Sequence, residues 1–218
     1  MGHANASTRA KQTVEHRAAV DADHRRYAID HGYERIREIE EKVVTPAMRR
    51  IEAEDPERRL AGLENRLKGK DRLTEKINEA VEERGRTVHE ALGMVKDAIR
   101  YTLRYPDDRY AEGVYADCER LDNMGFGRVE RVNSWDAEEY KGINSRWRVP
   151  GTEQLFEVQF HTDASLDAKE ETHWAYERIR ALPDDDAEVG ELHAYQRTVT
   201  SKVSIPPGAL DIPNYKYR

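Results

Sequence analysis

Three scarcities bound this chain before any motif is read. Cys118 is the only cysteine in 218 residues, so neither a disulfide framework nor a cysteine-based zinc site can form within one copy. That usage fits a reducing compartment. No apolar run approaches the roughly 20 residues that a membrane-spanning helix needs, and the opening "MGHANASTRA" lacks the apolar core of a secretion signal. A surplus of positive charge is also missing. The chain carries 36 Lys and Arg against 43 Asp and Glu, a formal net charge of −7, which argues against a dedicated binder of duplex DNA. It leaves room for a small basic phosphate site. Hydrophobic residues make up 38% and mean hydropathy is −0.94, a balance that long helices with charged outer faces would produce. The length suffices for one sizeable domain, or one domain with an appendage.

Helical patterning dominates the start. From about residue 8 to 54 there are few Gly or Pro, and Tyr33, Ile36, Ile39, Val43, Val44, Met48 and Ile51 recur at three- and four-residue steps. Pro46 is expected to kink or divide this helix, and "EDPERR" at 54–59 breaks it. "LAGLENRLKGK" reads as a strand. "DRLTEKINEAVEERG" reads as a helix with Asp71 as N-cap and Gly85 as stop. "DAIRYTLRYP" is a second strand, alternating Ile99, Tyr101 and Leu103 with Arg100, Thr102 and Arg104. A helix over 108–126 precedes strands "GRVERVNSW", "GINSRWRVP" and "FEVQFHTD". Two further helices and an irregular proline-rich tail, "IPPGALDIPNYKYR", complete the chain. The order predicts an α+β fold, with a mixed sheet of about five strands flanked by helices. The expected boundaries are a helical extension over 1–55, the sheet-bearing domain over 56–183 and a C-terminal helix and tail over 184–218.

Four groups of residues carry candidate chemistry. In "FEVQFHTD", Phe156, Val158 and Phe160 alternate with Glu157, Gln159 and His161, so one sheet face is apolar and the other holds a carboxylate, an amide and an imidazole. Arg66, Lys68, Lys70, Arg72 and Lys76 form a basic strand-to-helix segment suited to phosphates; the structural alternative is a solvated charged surface. Asp97 and Glu157 on neighbouring strands would suit Mg²⁺; the alternative is an ordinary salt bridge. Strict alternation places Asp97 with Ile99 and Tyr101, away from Arg100, so a junction or bulge is needed to aim it. In "YKGINSRWR", Gly142 permits close approach, and Asn144, Arg146 and Arg148 share a face; the alternative is a hairpin strand with a wet side. His161 and His173 match no zinc spacing, and "KEETHW" is not HExxH.

Taken in order, these segments resemble the synthetase domain of the RelA/SpoT family, over about Leu60 to Arg180. "NRLKGKDRLTEKI" is similar to the family's Arg-x-Lys segment with a later lysine, and "KDAIRYTL" to the strand opening with a metal-binding Asp. "FEVQFHT" is similar to its Glu-Val-Gln-x-Arg/His-Thr strand, and "ETHWAYERIR" to its His-Trp-x-Tyr helix. The resemblance implies a nucleotidyltransferase-like fold and Mg²⁺-dependent transfer of pyrophosphate from ATP to the 3′-hydroxyl of a nucleotide. It implies that Arg66, Lys68, Lys76 and Arg100 bind ATP. Asp97 and Glu157 would hold the metal, with Glu157 helping to deprotonate the acceptor. Gly142, Asn144, Gln159 and His161 would border the acceptor. Where the family places a base-stacking Tyr after the glycine, this chain has Ile143. Divergent, toxin-like members share the "GIN…FEVQFHT" form, so adenine nucleotides or the tRNA 3′ end are alternative acceptors, and a non-catalytic nucleotide-binding module is another outcome. The resemblance further implies a cytoplasmic site of action, with delivery as an effector module, a homo-oligomer and a larger parent protein all left open.

Overall fold

The computed structural model describes the backbone of residues 3–217 and side chains from residue 20 to 217. The chain divides into two compact units, Met1–Ile39 with Gly69–Val95, and Glu40–Lys68 with Lys96–Arg218. The first holds helices α1 (His3–Ile39), α3 (Lys70–Arg84) and α4 (Val88–Met94). The second holds α2 (Thr45–Ala53), α5 (Tyr110–Asn123), α6 (Asp163–Ala181), α7 (Ala187–Thr200) and a six-stranded sheet.

Helix boundaries follow local chemistry. Gly85 ends α3 at φ 60, a left-handed cap that suits glycine. The expected cap at Asp71 is not used: α3 starts two residues earlier, with Gly69 as N-cap. Thr87 and Glu90 form a capping box on α4, Thr162 and Ser165 a second on α6, and the Asp186 side chain caps α7. Between α1 and α2 the chain makes a π-helical turn, Glu40–Val44, and Pro46 falls in the first turn of α2. The wider turn shifts the apolar stripe. Val44, Met48 and Ile51 are buried as expected, but Val43 is exposed and Glu40 takes a buried position.

The sheet runs β1 (Arg59–Ala61), β2 (Arg100–Tyr105), β5 (Leu155–Thr162), β4 (Ile143–Arg148), β3 (Gly127–Asn133) and β6 (Tyr215–Lys216) in spatial order. Only β2 and β5 pair in parallel, so the sheet is mixed. Two sequence expectations change here. The strand expected over 60–70 is three residues long, followed by a 3₁₀ turn at Leu63–Asn65 and a single bridge from Leu67 to Ile99. The tail is not irregular, because Tyr215–Lys216 pairs with Arg131 and Glu130 as a sixth strand. Asn133 fixes that strand: its Nδ2 donates to the carbonyls of Ala209 and Ile212 at 2.8 Å each.

One sheet face is the core of the second unit. Tyr101 and Leu103 on β2, Phe156, Val158 and Phe160 on β5, and Ile143 and Trp147 on β4 are all buried. Tyr110 on α5 donates to the Phe160 carbonyl at 2.9 Å. Burying side chains of this size stabilises the fold by roughly 1.5–3 kcal/mol each, so the aromatic and aliphatic residues of β5 pin the central strand. Its opposite face is then free to carry chemistry.

Candidate active site

Strand register assembles that opposite face. Arg100 on β2 and Arg146 on β4 both stand beside Glu157 on β5, and Glu130 on β3 stands beside Arg146. Across four strands the order is Arg–Glu–Arg–Glu. The next row is Thr102, Gln159 and Asn144, and the third joins Arg104 to His161. The polar residues of β5 are not wet: Glu157 is 6% exposed, Gln159 5% and His161 0%.

Glu157 is the centre of the charge row. It accepts from Gln159 Nε2 at 2.9 Å, and Arg146 Nε lies 3.7 Å from its second oxygen. Arg146 also ion-pairs with Glu130. Burial pushes the Glu157 carboxyl above the usual carboxylate range; Arg146 and Arg100 pull it down, and Asp97 pushes it up again. Asp97 is thus one of the charges that bear on Glu157. The alternation problem disappears, because Asp97 is not on a strand: it sits in the turn before β2, with Oδ2 3.0 Å from Lys68 Nζ. Lys68 is brought there by backbone pairing. Its N–H donates to the Ala98 carbonyl at 2.9 Å, and the Arg100 N–H to the Arg66 carbonyl at 2.7 Å.

The basic segment does not converge on one partner. Arg66 turns to buried Glu40, with Nε 2.7 Å from Oε1, and also donates to the Leu63 carbonyl at 2.9 Å. Glu40 further accepts from Tyr101 Oη at 2.7 Å and from Thr45. Burial opposes the charge on Glu40, but these donors together hold its carboxyl below the usual range. Lys70 pairs with Asp30 at 2.8 Å in the first unit, and Lys76 belongs to α3 of that unit.

The residues expected to border an acceptor form a tight network. His161 Nε2 is 3.0 Å from Tyr140 Oη, and its Nδ1 2.9 Å from Ser165 Oγ. Tyr140 Oη donates to Asn144 Oδ1 at 2.8 Å. The phenol proton is therefore spent on Asn144, and the Ser165 hydroxyl, which contacts Nδ1, also donates to the Thr162 carbonyl at 3.3 Å. Burial, reinforced by Lys169, holds the imidazole neutral, down to about 3. Gly142 is explained by this ring. A Cβ there would lie 2.7 Å from His161 Cε1, and φ is +153. The sequence suggests a ligand or a tight turn at Gly142; in the structure it is the His161 ring that approaches it. Ile143 is 0% exposed and packs on the core face, away from the polar face of β4 and β5.

Participants outside the sequence-predicted site residues include Glu40, Glu130, Tyr140, Ser165 and Lys169. Lys169 had a readable signal. On α6 it adjoins the buried stripe of Ser165, Ala168, Thr172 and Ala175, where a lysine is out of place without a partner. Its Nζ donates to Gln159 Oε1 at 2.6 Å. Glu40 was hidden by the π turn. Among the described residues no group of three or more His, Cys, Asp or Glu is placed to hold a metal ion, and no helix is long and apolar enough to cross a membrane.

Comparison with known proteins now adds the architecture. No protein-family model and no curated protein matches the chain. Among solved structures, the small alarmone synthetase 2 of Bacillus subtilis superposes with a TM-score of 0.53 at 12% identity, covering 79% of this chain and 90% of that one. The fold is that of a small alarmone synthetase. The small alarmone synthetase 1 of B. subtilis bound to its product pppGpp (14% identity, 78% and 86% covered, TM-score 0.48) is also similar. So is a GTP pyrophosphokinase family protein from Streptococcus pneumoniae (15%, 85% and 88%, 0.47). Within the alarmone-synthetase fold, the charge row crosses the four inner strands of the sheet, β2, β5, β4 and β3.

Proposed function

We propose that the protein transfers the β,γ-diphosphate of ATP to the 3′-hydroxyl of a nucleotide acceptor. One observation carries this: Glu157, a buried carboxylate on the central strand, flanked by Arg100 and Arg146 and coupled to Asp97, in a chain with the alarmone-synthetase fold. The acceptor oxygen attacks the β-phosphorus, the bridge between α- and β-phosphorus breaks, and AMP leaves. The hydroxyl proton passes to Glu157, whose burial raises its basicity. Lys68 and Arg100 neutralise phosphate charge, and Arg66 adds an ATP contact after release from Glu40. Asn144 and Gln159 face the acceptor, and Gly142 and His161 hold that wall in place. Catalysis is positioning and charge stabilisation rather than covalent intermediates.

Mg²⁺ fits the residues present. Asp97 and Glu157 are hard oxygen donors whose mutual repulsion a cation would relieve, and they would hold it. When bound, the ion would neutralise charge on the phosphates.

Arg66's pairing with Glu40 favours a second function, a nucleotide-binding module without turnover. Incubation with γ-labelled ATP and GDP, GTP, adenine nucleotides or bulk tRNA separates the two. Transfer predicts label on one acceptor and stoichiometric AMP. Tight ATP binding with no AMP selects the module, and neither binding nor AMP excludes both. Toxin-type acceptors, adenine nucleotides or a tRNA 3′ end, are outcomes of the same panel.

A further inference from the structure

Among the described residues, two cations of the polar face make no side-chain ion pair. Lys68 and Asp97 offset each other at 3.0 Å. Beyond them stand Arg100, Arg146 and Lys169, with Glu157, Glu130 and the exposed Glu170. Arg146 lies against Glu130 and Glu157, whereas Arg100 makes no side-chain ion pair among the described residues. Lys169 is half-buried, and its one described bond is to a neutral amide oxygen, Gln159 Oε1. Arg100 and Lys169 thus stand within electrostatic reach of each other, and the carboxylates that act on Lys169, Glu157 and the exposed Glu170, make no ion pair with it. A half-buried ammonium with only a neutral partner is costly unless an anion completes its shell.

We propose that Lys169 is a phosphate-contacting residue of this site, which from α6 donates to the oxygens of a nucleotide's polyphosphate chain across Gln159 from Arg100. This deepens the proposed function and rests on it for the identity of the ligand, but the contact itself requires only a polyphosphate. Gln159 is the pivot. Its carbonyl oxygen holds the ammonium at 2.6 Å and its amide holds Glu157 at 2.9 Å, so Lys169 is kept one residue away from neutralising Glu157. Burial and the repulsion of Arg100 hold the ammonium down to about 8, the state of a cation short of counter-charge. An arriving phosphate supplies that charge, with little side-chain ordering left to complete.

The test uses inorganic tripolyphosphate as probe, measured by calorimetry on the full chain. Lys169→Met is expected to weaken binding about tenfold or more, the loss of one charge-assisted bond, and Lys169→Arg to restore most of it. Lys202→Met, which removes the same charge from an exposed position, is expected to leave affinity unchanged. Acetylation of wild-type protein, read by mass spectrometry, gives a measurement independent of variant folding: tripolyphosphate should slow modification of Lys169. Wild-type affinity in Lys169→Met, equal losses in Lys169→Met and Lys202→Met, or no protection of Lys169 would overturn the assignment. The underlying function fails separately. Lys169-dependent tripolyphosphate binding without AMP formation from ATP removes pyrophosphate transfer and leaves Lys169 in place. AMP formation with wild-type kinetics in Lys169→Met does the reverse.

Discussion

His161 makes the stability of this protein depend on pH in a direction that can be worked out from its surroundings. The ring is fully buried between Tyr140 and Ser165 and is held neutral, down to about 3. In the unfolded chain it titrates near the ordinary histidine value of about 6.5. Between those values the unfolded state binds the extra proton and the folded state does not, so stability falls as pH falls through that window. The slope approaches ~1.4 kcal/mol per pH unit from this one group, or roughly 2–3 kcal/mol between pH 6.5 and 4.5. His161→Gln removes the titration while keeping a polar group beside Tyr140. Urea unfolding of both proteins at several pH values isolates the term, because every other titrating group is shared. The variant is expected to be less stable at pH 7 but to lose less on acidification. Parallel stability–pH curves would refute the assignment of a buried neutral imidazole.

Gly142→Ala places a methyl 2.7 Å from His161 Cε1 at φ +153 and is expected to lower the thermal midpoint measurably, by strain and overpacking of about 1–3 kcal/mol. Asp117, 0% exposed, accepts from Arg58, Arg120 and Tyr105. Asp117→Asn leaves a buried guanidinium uncompensated and should cost about 3–5 kcal/mol in denaturant titration, with unaltered stability the contrary result. Glu40→Gln frees Arg66 from its strongest partner. ATP affinity measured by calorimetry should rise if Arg66 serves the nucleotide, and stay constant if it is structural.

Much of the sheet was legible because β5 states both of its faces in alternating residues, and the register then follows from which face is buried. Phe156, Val158 and Phe160 announced the core, and Glu157 and Gln159 the polar face. What lay outside periodicity was harder to see. The extra residue of a π turn moved Glu40 inward and Val43 outward, which no 3.6-residue pattern encodes. Asp97 was misread as a strand residue because "KDAIRYTL" is continuous in composition, whereas the strand begins only at Arg100. The 60–70 segment has strand-like alternation but Gly62, at φ 61, turns it into a 3₁₀ turn. The tail's prolines masked a strand whose partners, Glu130 and Arg131, lie about 85 residues earlier. Lys169 lies in "KEETHW", where nothing in the pattern gives it a role; the fold places it beside Gln159.

Glu157→Gln tests the central claim most directly, since it removes one charge and no volume from the middle of the Arg–Glu–Arg–Glu row. AMP release from ATP, followed by chromatography with the acceptor that the panel selects, should fall to background while the far-ultraviolet spectrum and melting cooperativity persist. Undiminished AMP release by a folded Glu157→Gln protein would place the chemistry elsewhere.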